Sequence, residues 1–107
     1  MARDDGNGSP SEVLREHRLA ILALLAERGV RDVRVFGSLA RGDEDMLSDI
    51  DLLVELPQSG SAGAELLTAL GLAEELSQLV QARVDVATPG TLREEVRDAA
   101  LAEAVPL

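Results

Sequence analysis

Two aspartates, Asp49 and Asp51, lie one residue apart at the start of the apolar segment DIDLLVEL. Side chains alternate across a β-strand, so Ile50 and Leu52 belong to one face and the two aspartates to the other. Carboxylates this close repel each other unless a cation lies between them. Oxygen ligands of this kind suit Mg²⁺, which protein sites bind through one or two carboxylates and substrate phosphates. The pair therefore indicates a metal-dependent site at the beginning of a buried strand.

A third carboxylate fits the same site. In the segment RVDVAT, Asp85 alternates with two valines, as a strand with one apolar face requires. If this strand lies beside the strand of Asp51, Asp85 joins the pair. Three carboxylates can hold two metal ions about 4 Å apart, an arrangement used in phosphoryl transfer. We therefore predict Asp49, Asp51 and Asp85 as metal ligands and catalytic residues.

A glycine–serine pair precedes the aspartates by ten residues. Gly37 permits a sharp turn and the close approach of a ligand. The turn offers backbone N–H groups and Ser38 adds a hydroxyl, so together they can hold a phosphate. Arg41 can balance the charge of a triphosphate, or it can form a surface ion pair with an acid at 43–45. Ser48 either orients the carboxylate that follows it or has only a turn role.

The string GSLARGDEDMLSDIDLLVEL resembles the signature of the polymerase-beta-like nucleotidyltransferase superfamily. More narrowly, it resembles the minimal nucleotidyltransferases, which are small domains often encoded beside a HEPN-domain protein as the antitoxin of a toxin–antitoxin pair. The resemblance runs from about Val33 to the C-terminus. The positions that carry it are Gly37, Ser38, Ala40, Arg41, Gly42, Ser48, Asp49, Asp51 and Asp85.

The resemblance implies an enzyme that binds ATP, or another nucleoside triphosphate, with two Mg²⁺ ions. Such an enzyme transfers the nucleoside monophosphate, AMP in the case of ATP, to a hydroxyl, which is a tyrosine hydroxyl of the partner HEPN toxin. It also implies that Asp49 and Asp51 hold both ions, and that Asp85 binds the ion nearer the acceptor and helps to remove its proton. Gly37 and Ser38 would hold the β- and γ-phosphates.

Two alternatives remain open. The protein can be an antitoxin that neutralises its toxin by binding alone, within a hetero-oligomer. It can also transfer a nucleotide to a small molecule, as aminoglycoside nucleotidyltransferases do, although its short chain leaves little room for a second domain that holds the acceptor.

The elements that must position these residues follow from apolar periodicity and turn residues. Ser9 and Glu12 predict a capping box that opens a helix running to about Gly29. Residues 61–81 read as a long helix, and Thr91 with Glu94 predicts a capping box for a last helix. The long helix carries apolar residues at helical spacing, which are Leu66, Leu70, Ala73, Leu76 and Val80.

Strands are predicted before Gly37, at 49–56 and at 82–87. The resulting order of elements predicts an α/β (α+β) fold, a small mixed β-sheet of three or more strands with helices packed on it. This is the expectation for the polymerase-beta-like nucleotidyltransferase fold. We expect residues 1–8 to form a flexible tail and residues 9–107 to form one domain.

Composition excludes several functions. The 107 residues carry a net charge of −10 and no lysine, so binding of DNA or RNA through phosphate contacts is disfavoured. No cysteine is present, and His17 is the one histidine, far from the motif, which excludes thiolate zinc sites and a Ser-His-Asp triad. No apolar run is long enough to span a bilayer. We expect a soluble, cytoplasmic protein that does not contact a membrane.

Overall fold

The computed structural model describes residues 8–57 and 60–107. It has the three predicted strands and one further strand, whereas the predicted first helix is divided in two and a short helix follows Gly37. The elements are α1 (Pro10–Glu16), α2 (Arg18–Glu27), β1 (Arg31–Phe36), α3 (Ser38–Arg41), β2 (Ile50–Glu55), α4 (Ala62–Val80), β3 (Val84–Ala87), a 3₁₀ turn (Pro89–Thr91), α5 (Glu94–Glu103) and β4 (Val105–Pro106). Except for Gly8, the predicted tail lies outside the described residues.

The strands form one mixed sheet in the order β3-β2-β1-β4. Strand β1 runs antiparallel to both of its neighbours, β2 and β4, whereas β2 and β3 run parallel and are joined by the crossover helix α4. This confirms the prediction of a mixed sheet with helices packed on it. Strand β4 was not predicted, because a two-residue strand that includes Pro106 has too little sequence pattern to be recognised.

One face of the sheet carries the core. Ile50, Leu52 and Val54 of β2 are at most 2% exposed, which confirms the predicted alternation. Strands β1 and β3 add Val35, Val84 and Val86, and helices α1, α2 and α4 add Val13, Leu14, Ile21, Leu25, Ala69, Leu72, Leu76 and Val80. Within the described ranges, no helix combines the length and the apolar character that crossing a membrane requires.

The prediction of one continuous helix before Gly29 is wrong. The helix breaks at His17, whose φ of −105° and ψ of 11° depart from helical geometry and separate α1 from α2. The backbone N–H of His17 donates to the Val13 carbonyl oxygen, and His17 Nδ1 lies 2.9 Å from the same oxygen. The capping box of Ser9 and Glu12 is present as predicted. Gly29 follows α2 with a φ of +76°, consistent with its predicted role as the helix stop.

Two predictions about the later helices are also corrected. The buried stripe of α4 does not pass through Leu66 and Leu70, which are 47% and 56% exposed, because the helix turns Ala69 and Leu72 inwards instead. The second capping box forms between Thr88 and Thr91 rather than between Thr91 and Glu94, since the chain makes a 3₁₀ turn before α5 begins.

Candidate active site

The parallel pairing of β2 and β3 places Asp51 directly opposite Asp85. The neighbouring pair, Ile50 and Val84, points into the core, so both carboxylates belong to the other face of the sheet. Asp49 immediately precedes β2, where the Ile50 N–H donates to the Arg83 carbonyl oxygen at 3.0 Å. Two of the predicted ligands thus come from adjacent strands, which is the condition that the sequence analysis set, and the third lies just before β2.

The three aspartates repel one another. Burial, followed by the nearby charges of Asp85 and Asp49, raises the pKa of Asp51 from 3.8 to about 6. Burial and the charge of Asp49 likewise raise the pKa of Asp85. A cation placed between such carboxyl groups stabilises their ionised form, which burial and mutual repulsion otherwise disfavour.

Arg83 is a charged neighbour that the sequence analysis did not single out. Its Nε lies 3.7 Å from Asp49 Oδ1, and its charge also opposes the rise in the pKa of Asp85. The arginine side chain is 78% exposed, so this ion pair is weak. The sequence could have indicated Arg83, because it stands two residues before Asp85, and residues two apart on a strand share a face.

The donor set fits a hard divalent cation, although it is not a closed ligand cage. All three groups are carboxylates, the ligands that Mg²⁺ accepts in place of water. Within residues 8–57 and 60–107, no three His, Cys, Asp or Glu side chains converge as a ready metal site. The aspartates are therefore close enough to repel one another, but they do not yet surround a single point. A bound ion and its other ligands would have to draw the carboxylates together.

The Gly37–Ser38 turn lies against this cluster. Gly37 has a φ of +78° and a ψ of −152°, a region of backbone space that is essentially limited to glycine. A Cβ atom at this position would collide with Asp51 Oδ2 and would lie 3.2 Å from Asp51 Cγ. The structure therefore brings the predicted phosphate-binding turn and the Asp51 carboxylate together.

Arg41, at the end of α3, forms the surface ion pair that the sequence analysis gave as the alternative to binding a triphosphate. Its Nε donates to Asp43 Oδ2 at 3.1 Å, and its Nη1 lies 3.3 and 3.4 Å from the two carboxylate oxygens of Glu103. Arg41 is nevertheless close enough to Asp51 to oppose the rise in the pKa of that carboxyl. Both readings of this residue therefore remain compatible with its position.

Ser48 has a turn role in this structure. Its hydroxyl accepts a hydrogen bond from the Asp45 N–H at 2.9 Å and lies 3.4 Å from Asp45 Oδ1. These contacts fix the loop that leads into β2. They support the second of the two sequence interpretations of Ser48, in which the serine shapes the turn before Asp49.

In the metal-free protein, we expect the contribution of Asp51 to stability to fall as the pH rises from about 4 to about 6. A carboxyl with a raised pKa keeps its proton in the folded chain after the unfolded chain has released it, so rising pH favours unfolding across this interval. We expect a loss of about 1–2 kcal/mol, below the roughly 3 kcal/mol of the full pKa difference, because solvent screens a half-buried group.

The measurement is the free energy of unfolding in denaturant with a chelator present, compared at each pH between wild type and Asp51→Asn. The difference between the two proteins should grow from pH 4 to pH 6 and then level off. A difference that stays constant over this interval would contradict the electrostatic description of the site.

Comparison with known proteins shows the family to which the chain belongs. A family model described as a nucleotidyltransferase domain matches residues 14–107. Protein adenylyltransferase MntA of Thermococcus cleftensis is 38% identical over 82 residues, which are 76% of this chain and 79% of the relative. A solved structure provisionally described as a minimal nucleotidyltransferase is 41% identical, with a TM-score of 0.71 over 90% of this chain and 94% of that chain.

A crystal structure of a toxin–antitoxin with AMP-PNP contains a chain that is 20% identical, with a TM-score of 0.64 over 80% of this chain and 68% of that chain. At this identity, the likeness shows the fold alone. The family model covers most of the present sequence, and the solved minimal nucleotidyltransferase is similar to it in both sequence and fold. The chain therefore belongs to the nucleotidyltransferase domain family and is an enzyme of the minimal nucleotidyltransferase type.

Proposed function

We propose that this chain transfers AMP from ATP to a hydroxyl group of a partner protein, and that this transfer neutralises a toxin. The observation that carries the proposal is the pairing of Asp51 with Asp85 across β2 and β3, with the Gly37 turn packed against Asp51. This arrangement joins a carboxylate cluster to a turn that can accommodate phosphate. The names of the relatives add the substrate class, since MntA of T. cleftensis is a protein adenylyltransferase.

In this proposal, Asp49, Asp51 and Asp85 hold two Mg²⁺ ions, which supply positive charge to the reacting phosphate when they are bound. The Gly37–Ser38 turn binds the β- and γ-phosphates. The acceptor oxygen forms a bond to the α-phosphorus, the bond from that phosphorus to the β-phosphate oxygen breaks, and pyrophosphate leaves. Asp85, the most exposed of the three aspartates, takes up the proton of the acceptor hydroxyl.

The partner is proposed to be a HEPN-domain toxin, and the acceptor a tyrosine hydroxyl. A fold relative of this chain is part of a toxin–antitoxin structure that holds AMP-PNP, which supports both the class of partner and the class of nucleotide. Large apolar side chains next to the site are open to such a partner, because Met46 and Leu47 are 63% and 92% exposed on the loop before Asp49.

Neutralisation by binding alone is the second candidate function. The observation that favours it is the absence, within the described ranges, of a converged three-residue metal site. The exposed leucines at 66, 67 and 70 of α4 would serve a partner equally well with or without catalysis. The two functions differ in one respect that can be measured, which is the covalent state of the toxin.

We expect the toxin to gain the mass of an adenylyl group when it is incubated with this protein, ATP and Mg²⁺. The measurement is intact mass spectrometry of the toxin, followed by peptide mapping to the modified tyrosine. The control replaces ATP with its α,β-methylene analogue under the same conditions. The bond that transfer must break is not cleavable in this analogue, so the toxin should keep its original mass. A toxin that is neutralised while it keeps its original mass would reject transfer and establish neutralisation by binding.

A further inference from the structure

The glycine–serine turn is hydrogen-bonded to Glu103, a residue that no sequence motif indicated. Glu103 Oε2 accepts a hydrogen bond from the Gly37 backbone N–H at 2.9 Å. The same carboxylate lies 3.3 and 3.4 Å from Arg41 Nη1. The Glu103 side chain is only 23% exposed, so this contact is shielded more than an ordinary surface ion pair.

The position of Glu103 follows from the pairing of β1 with β4. Val35 stands opposite Val105, and the Leu107 N–H donates to the Val33 carbonyl oxygen at 3.0 Å. Continuing this antiparallel register for two more residues brings Gly37 opposite Glu103. The main chain of residue 103 still belongs to α5, so its side-chain oxygen takes the Gly37 N–H in place of a strand carbonyl.

This contact fixes both ends of the short helix α3. Gly37 precedes the helix and Arg41 ends it, and the two are joined through one carboxylate. Gly37 is confined on another side by Asp51, whose carboxylate occupies the space where a Cβ would stand. The position of the turn relative to Asp51 is therefore set by Glu103 and Asp51 together.

We propose that Glu103 is a positioning residue for nucleotidyl transfer, which holds the Gly37–Ser38 turn and the Arg41 guanidinium where they meet the triphosphate. This inference rests on the proposed function, because the turn has a phosphate to bind only if the chain uses a nucleoside triphosphate. The Gly37 N–H is directed to the β4 side of β1, whereas Asp51 pairs on the β2 side. Glu103 thus supports the turn from the side opposite to the aspartates and leaves the Ser38 hydroxyl to the ligand.

The test compares Glu103→Ala and Glu103→Gln with the wild-type chain. Glutamine keeps an acceptor for the Gly37 N–H and loses the charge beside Arg41, whereas alanine loses both. We expect the KM for ATP to rise ~10-fold or more in Glu103→Ala and less in Glu103→Gln, with a smaller fall in kcat in both. Asp98→Asn is the matched control, since it removes a carboxylate from α5 whose side chain is 74% exposed, and it should leave both constants unchanged.

Binding of AMP-PNP and hydrogen exchange of the Gly37 amide provide readouts that do not depend on transfer. We expect weaker AMP-PNP binding and faster Gly37 exchange in Glu103→Ala than in wild type. Tighter AMP-PNP binding would show that Glu103 competes with phosphate, and unchanged binding with unchanged KM would show a purely structural role; either result overturns the inference. If wild type itself binds no AMP-PNP with Mg²⁺, the proposed function fails and the inference fails with it.

Discussion

Replacing Asp51 with asparagine is expected to lower the rate of nucleotidyl transfer by at least ~10³-fold while making the metal-free protein more stable. The loss of rate corresponds to about 4 kcal/mol, the scale on which metal ions stabilise charge in a transition state. The gain in stability arises because asparagine removes a charge that burial and two neighbouring carboxylates disfavour, as the raised pKa of Asp51 shows. We expect about 1–2 kcal/mol at neutral pH, after allowance for solvent screening.

Two measurements on the same preparation test this prediction, namely transfer to the toxin with Mg²⁺ and denaturant unfolding with a chelator. Asp98→Asn again serves as the control, because it carries the same chemical change at an exposed position of α5. A variant that loses both activity and stability would show that Asp51 is a structural residue. A variant that keeps its activity would remove Asp51 from the proposed metal ligands.

Gly37→Ala is expected to damage both the fold and the site. The observed backbone conformation of Gly37 costs other residues about 1–3 kcal/mol, before any collision is considered. An alanine Cβ would also collide with Asp51 Oδ2, so either the carboxylate or the turn must move. Since a displacement of about 1 Å can cost ~10²-fold in rate, we expect transfer to fall by at least that factor.

Variants at two other glycines distinguish the effect of backbone conformation from the effect of collision with Asp51. Gly60 has a φ of +93° and open space where a Cβ would stand, so Gly60→Ala should lose stability and keep transfer. Gly71 lies inside α4, also with open space, so Gly71→Ala should gain about 0.5–1 kcal/mol with unchanged transfer. The measurements are unfolding free energies and transfer rates for all three variants. If Gly60→Ala lost as much transfer as Gly37→Ala, contact with Asp51 would not be the cause.

The strands of the site were predictable because their sequence pattern and their packing agree. Ile50, Leu52 and Val54 recur at every second position, and a strand that turns them to one face satisfies this pattern, although Leu53 between them is buried as well. The crossover from β2 through α4 to β3 followed from the order of the elements, and it gave the expected meeting of Asp51 and Asp85. The assignment of these residues as ligands is a separate matter and stays a prediction.

The parts that the sequence did not reveal depend on contacts between distant segments. Glu103 reaches Gly37 across 66 positions of the chain, and no local pattern marks such a contact. By contrast, the break at His17 is local. It lies in a segment whose apolar spacing reads as one helix, and it coincides with a contact between the His17 ring and the Val13 carbonyl oxygen. The outward placement of Leu66 and Leu70 depends on tertiary packing, because α4 carries leucines on two sides and only its packing decides which side is buried.

The parallel contact between β2 and β3 also dictates when the three aspartates can come together. Antiparallel neighbours can meet through a short turn, but these two strands cannot pair until the whole of α4 has been made and folded across them. Pairing over such a separation is slow compared with helix formation. A chain still emerging from the ribosome therefore holds Asp49 and Asp51 without Asp85, and the three aspartates can meet only after synthesis has passed β3.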